Sequence, residues 1–244
     1  MKAKYRLEQF GQVLNLRNRD NAPYLLIGGQ AVNYWASRYL EKEPLLGELS
    51  PFTSEDIDFK GDRGDVESMA RQLKLQPNFP SPVGMTALVG SIPFRSGDID
   101  SNIEVVRSIP GAPKNVEQTA IEIEFEGMHL RVLDPISLLA AKLALFATVP
   151  QENRQDGRHI RILIPCVRQF LSELLHSIED GELTARDWLK IARYLLKQTA
   201  TKRALRAAKV LEVNWSQLLP WEVLKSAHDP RLIRFREAKS SSGR

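Results

Sequence analysis

Thr53-Ser54-Glu55-Asp56-Ile57-Asp58-Phe59, read together with the earlier run Tyr24-Leu25-Leu26-Ile27-Gly28-Gly29, decides the fold. In a strand, residues two apart share a face, so Asp56 and Asp58 project side by side while Ile57 and Phe59 pack the other way. Two adjacent carboxylates need a cation between them, or one must hold a proton. Magnesium suits hard carboxylate oxygens and takes substrate phosphates as further ligands. Upstream, Gln30 to Leu40 reads as a helix, with Ala31, Tyr34, Trp35 and Arg38 at helical spacing. Gly28 and Gly29 therefore sit where a buried strand turns into a helix, and glycines there let backbone N–H groups approach a phosphate.

Either stretch alone has an ordinary explanation, a solvated strand edge or a simple turn. Their order is more telling. A strand, a Gly-Gly turn, a helix and a second strand bearing Asp-x-Asp resembles the polymerase-β-like nucleotidyltransferase superfamily, and within it the AbiEii-type toxins and related minimal nucleotidyltransferases. The resemblance implies two magnesium ions as cofactors, a nucleoside triphosphate (NTP) as substrate, and transfer of a nucleoside monophosphate (NMP) to an RNA (tRNA-like) or protein hydroxyl. It also implies a toxin or defence role with a cognate antitoxin. The distance from Gly29 to Asp56 is longer than the family pattern, and the insert from Glu41 to Pro51 is expected to be a surface excursion after the helix.

The family places a third carboxylate on a following strand. Asp98, Asp100 and Glu104 are the candidates. The first two follow the turn-like Arg95-Ser96-Gly97, whereas Glu104 lies in a β-branched run from Ser101 to Ile109, so Glu104 is favoured as catalytic and metal-binding partner of Asp56 and Asp58. Glu122, Glu124 and Glu126 alternate with apolar residues and read as the solvated face of a strand. Further along, Asp134 and Pro135 open an apolar helix that carries Lys142. Such a lysine ordinarily snorkels to solvent, but the resemblance places it toward the nucleotide, together with Gly28, Gly29, Ser54, Arg154 and Asp156. Arg154 and Asp156 have an equal claim as a helix-capping pair. His159 stands where the family has a second acid, and could stack on a base or contact phosphate.

The chain has 244 residues, 43% of them hydrophobic, enough for a real core and a smaller second unit. One cysteine, Cys166, rules out a disulfide framework and a multi-cysteine zinc site. No charged-then-apolar leader and no spanning stretch is found, so a cytoplasmic protein without membrane partners is expected. Residues 1–150 hold 16 Lys and Arg against 19 Asp and Glu, net −3; residues 151–244 hold 18 against 11, net +7. Arg186, Lys190, Arg193 and Lys197 recur at helical spacing as a basic stripe. It reads as a solvated face, as an RNA contact or as a contact for an acidic protein.

The expected fold is α+β: a nucleotidyltransferase domain over 1–150, built on a mixed twisted sheet with packed helices, then a basic helical bundle over 151–244. Strands are predicted near Tyr24–Ile27, Asp56–Phe59, Ala87–Phe94, Ile103–Ile109, Ile121–Phe125 and Leu130–Val132. Helices are predicted over Arg158–Ser177, Thr184–Gln198, Lys202–Leu211 and Trp215–Ala227. Pro77 to Pro82 reads as a loop and Lys239 to Arg244 as a disordered tail. Loss of catalysis, leaving a fold that binds RNA or a partner protein, is the competing functional reading. A Rossmann dinucleotide site is disfavoured because no third glycine follows Gly29 at the needed spacing.

Overall fold

The computed structural model describes residues 3–81 and 86–240. Six strands form one mixed sheet in the order β3-β4-β2-β1-β6-β5, comprising β1 (Leu25–Ile27), β2 (Ile57–Lys60), β3 (Leu88–Ser96), β4 (Ile99–Val106), β5 (Ala120–Phe125) and β6 (Met128–Leu133). β1 runs antiparallel to β2 and parallel to β6, and β2 runs parallel to β4. Two antiparallel hairpins, β3–β4 and β5–β6, form the sheet's flanks. The protein is thus α+β, as its alternating motifs predict.

The three short central residues of β1 are all buried, which fits a strand covered on both faces. α1 (Gly11–Leu14) follows a 3-10 turn over Leu7–Phe10, and α2 (Gly28–Tyr39) starts directly from β1. Trp35 of α2 is buried and donates its indole N–H to the Leu133 carbonyl at 2.9 Å, which locks α2 against β6. α4 (Arg63–Leu73) is opened by a reciprocal capping box between Asp62 and Asp65. α5 (Pro135–Thr148) begins at the Asp134 cap, whose carboxylate accepts from the Ile136 and Ser137 N–H groups at 2.9 Å.

α6 (Asp156–Glu179) is the spine of the C-terminal half, and it packs on both α5 and α2. α7 (Ala185–Thr199) lies against it through Trp188, whose indole N–H reaches the Leu171 carbonyl at 3.0 Å. α8 (Lys202–Leu211), a 3-10 turn over Trp215–Leu218, α9 (Trp221–Ser226) and α10 (Pro230–Ser240) complete the bundle. Phe235 of α10 meets Trp188 edge-on at 5.7 Å between ring centroids and seats the last helix on α7.

Four expectations are corrected. The segment from Glu41 to Pro51 is not a mere surface excursion: it contains α3 (Pro44–Glu48), Leu46 is fully buried, and Glu43 is buried and gripped by Arg168 and Gln169 of α6. β4 starts at Ile99 and ends at Val106, because the turn at Gly97-Asp98 is tight enough for Asp100 to pair with Arg95 inside the hairpin. The helix expected over Trp215–Ala227 is broken at Leu219-Pro220, which both have extended or non-helical backbone. Lys239 and Ser240 close α10 instead of joining a disordered tail; residues 241–244 of that tail, and Pro82 of the Pro77–Pro82 loop, lie outside the described residues.

Candidate active site

Asp58 is placed by three strands at once. Its register partners are Ile27 on antiparallel β1 and Glu104 on parallel β4. Asp56 stands just ahead of β2 and accepts from the Asn102 backbone N–H and the Asn102 Nδ2, each at 3.3 Å. Asn102 and Glu104, two apart on β4, thus lie opposite Asp56 and Asp58, while Ile57 and Phe59 are buried on the other face.

The Gly-Gly turn fits around Asp58. Gly28 has φ +67°, and a Cβ there would overlap the Asp58 carboxylate, lying 2.6 Å from its Cγ. The Gly29 backbone N–H lies beside that carboxylate and works against its raised pKa, so Asp58 stands at the N-terminus of α2. A Cβ on Gly29 would come within 2.5 Å of Ser54 Oγ and 3.2 Å of His159 Cε1. Ser54 is itself held by a two-bond bridge to the Tyr5 backbone. Gly28→Ala should therefore displace Asp58 and cost about 1–3 kcal/mol of stability. A denaturation curve that overlays wild type, with unaltered magnesium binding, would show the turn to be less demanding than this.

The opposite wall is cationic. Lys142 of α5 is buried and its Nζ lies 3.0 Å from Asp156 Oδ1, while Arg154 Nε lies 2.6 Å from Oδ2 of the same carboxylate. Burial works to raise the Asp156 carboxyl, but Lys142 and Arg154 outweigh it and hold it below the usual range. The pair is thus an ion-pair hinge between α5 and α6, not a helix cap: Asp156 is the first residue of α6 and Gln155 caps it without a side-chain bond. Burial, with Lys142 adding to it, pushes His159 well below the usual histidine range, so its imidazole is neutral; both ring nitrogens are buried without a hydrogen-bond partner. Asp58 moves the other way: burial raises its carboxyl to about 6, and the neighbouring Asp56 adds to the rise against the opposing charge of Lys142.

These side chains line one cleft of about 190 Å³, which holds Gly29, Ser54, Asp56, Asp58, Glu104, Lys142, Arg154, Asp156 and His159. Glu55, Asn153 and Gln155 also line it. They went unassigned in the sequence, although Asn153 and Gln155 flank Arg154 and Glu55 flanks Asp56. Asp100 does not reach this cleft. It lines an adjoining cavity of about 430 Å³ on the other side of Asp56 and pairs with Arg95 at 3.2 Å, both exposed. Asp98 is exposed at the hairpin turn. Arg186, Lys190, Arg193 and Lys197 lie on α7, away from the cleft-lining residues, and Lys197 stands apart from the groove that the other three share.

The donor set suits a hard cation. Asp56 and Asp58 offer paired carboxylates, and the raised Asp58 pKa marks a charge that a cation would relieve. Among the described residues no three His, Cys, Asp or Glu side chains are grouped as a ready-made metal site. A magnesium ion would rest on the two aspartates and complete its shell with water and phosphate oxygens, its usual manner.

No family model and no curated protein matches the chain. Among solved structures it is similar to the crystal structure of an antigenic nucleotidyltransferase-like protein from Paracoccidioides brasiliensis, at 17% identity and a TM-score of 0.43, over 86% of this chain and 100% of that one. A likeness this distant bears on neither chemistry nor substrate. Among the described residues no helix is long and apolar enough to cross a membrane.

Proposed function

We propose that the chain is a magnesium-dependent nucleotidyltransferase that moves an NMP from an NTP to a hydroxyl of RNA or protein. The observation that carries this reading is the pairing of Asp56 and Asp58, with Glu104 in register on the parallel neighbour, facing the cations Lys142 and Arg154 across one cleft. Magnesium bound to the aspartates would neutralise phosphate charge and lower the pKa of the attacking hydroxyl. The protein's own groups do the rest. Lys142 and Arg154 face the triphosphate as fixed charges. Ser54 and the Gly29 turn bring a hydroxyl and a helix N-terminus to the cleft edge. Neutral His159 offers one donor and one acceptor nitrogen to the substrate, with nothing in the protein competing for them.

Within that class we place the chain, on its motif order, with the AbiEii-type proteins, acting to poison growth and held in check by an antitoxin. One observation favours a second reading, a degenerate fold that binds without catalysing: no three-carboxylate grouping is present among the described residues. Incubation with each α-labelled NTP, magnesium and total RNA distinguishes the two. Label on RNA or on protein that requires Asp56 and Asp58 supports transfer and reveals the acceptor. Absence of label with all four nucleotides, from folded protein, overturns it.

A further inference from the structure

α7 and α10 enclose a second recess of about 710 Å³, far larger than the cleft. Arg186, Lys190 and Arg193 line it from α7, and Arg231 and Arg234 from α10. No acidic residue is among those lining it. Lys190 pairs with Asp187 at 2.7 Å and Arg186 also acts on that carboxylate, whereas among the described residues no salt bridge to Arg193, Arg231 or Arg234 is found. Five cations that share the single carboxylate of Asp187 repel one another, and a fold keeps such an arrangement most readily where a polyanion occupies it. The helices are not free to drift apart, because Phe235 is packed on Trp188 beneath the groove.

We infer that this groove binds a single-stranded polynucleotide through its phosphodiester backbone. Arginine predominates, and the planar guanidinium matches phosphate oxygens two at a time. The cations stand on both helices, over a floor that includes Leu189 and Phe235. A recess with charged rims and an apolar floor accepts a strand that turns sugars and bases inward and phosphates outward. Its floor exposes no aromatic face for stacking, since Phe235 is buried, so binding is indifferent to base sequence. The inference does not depend on the reaction assigned to the cleft: it needs neither NTP nor magnesium.

The test is fluorescence anisotropy with labelled oligo(U), oligo(dT), an RNA duplex of equal length and poly-glutamate, across a salt series. Single strands release about 0.7 counterion per neutralised phosphate. Five cations therefore give a slope of log affinity against log salt near −3.5, and the double variant Arg231→Ala/Arg234→Ala should reduce it by about 1.4 and weaken binding at least 10-fold. Arg231→Lys/Arg234→Lys, which keeps the charge, should restore the slope. Lys197→Ala on the same helix but outside the groove should leave it unchanged. The Arg231, Arg234 and Lys197 side chains are exposed, and superimposable melting curves confirm the folded state. The inference is overturned by an unchanged slope in the alanine double variant, by tighter binding of duplex than of single strand, or by poly-glutamate competing at equal charge concentration, which would assign the groove to an acidic protein.

Discussion

Asp58→Asn should lower nucleotidyl transfer by more than about 100-fold, since replacing even the outer partners of a metal site typically costs 10–100-fold. The substitution is close to isosteric and keeps an oxygen for the Gly29 N–H, so the loss reports charge and not shape. It should also stabilise the protein at neutral pH. The Asp58 carboxyl titrates near 6 in the folded chain, against an ordinary value of 3.8. Between those values the folded state binds more protons than the unfolded state, so this group's contribution makes stability fall as pH rises from about 4 to 6. Above that window the cost is fully present, at most on the order of 3 kcal/mol; below it, the cost is absent. Melting curves of wild type and variant should therefore coincide near pH 4 and separate by pH 7, with the variant higher. Magnesium should raise the wild-type midpoint and leave that of the variant in place. Transfer within fivefold of wild type, or a variant less stable at pH 7 than at pH 4 relative to wild type, would sink both roles given to Asp58.

Arg168→Ala should be the most destabilising single charge removal, by about 3–5 kcal/mol. Arg168 Nε donates to Glu43 Oε1 at 2.8 Å, its Nη2 engages Oε2, and Gln169 Nε2 joins at 2.8 Å, all around a carboxylate whose side chain is only 6% exposed. Alanine leaves that charge buried with Gln169 as its remaining partner. The double variant Glu43→Leu/Arg168→Met removes both charges and should recover more than half of the loss, because two apolar groups need no compensation. Urea denaturation of the three proteins decides it. A single-variant cost below about 1 kcal/mol, or a double variant no better than Arg168→Ala, would show the contact to be ornamental.

The core of the candidate site was legible because local order in the chain becomes register in the sheet. A strand ending in two glycines and a later strand with alternate aspartates need only pair for Asp58 to meet the turn, and Ile27 is indeed its Cα partner. Glu104 was legible from its β-branched run and the family pattern, and Lys142 only through the family resemblance, since its apolar helix alone predicts a lysine that snorkels to solvent, whereas it is buried on Asp156. What escaped depends on contacts between distant segments. Nothing near Glu43 announces an arginine 125 positions away. Arg231 and Arg234 gain meaning only when α10 lies beside α7, and among the described side chains of α10 just two are buried, Leu232 and Phe235, too few to mark its helix in advance. The start of β4 escaped because two residues, Gly97 and Asp98, suffice to reverse the hairpin.

The Lys142–Asp156 ion pair joins the last helix of the first 150 residues to the first helix of the remainder, across a connection in which Pro150, Glu152, Asn153 and Arg154 are exposed. A chain cut there yields two fragments, one retaining a buried cation and the other its buried counter-ion. Neither holds a complete cleft, and each gains from finding the other. The molecule is in this respect suited to fragment complementation: co-expressed halves should reassemble, and the cleft itself would report their union.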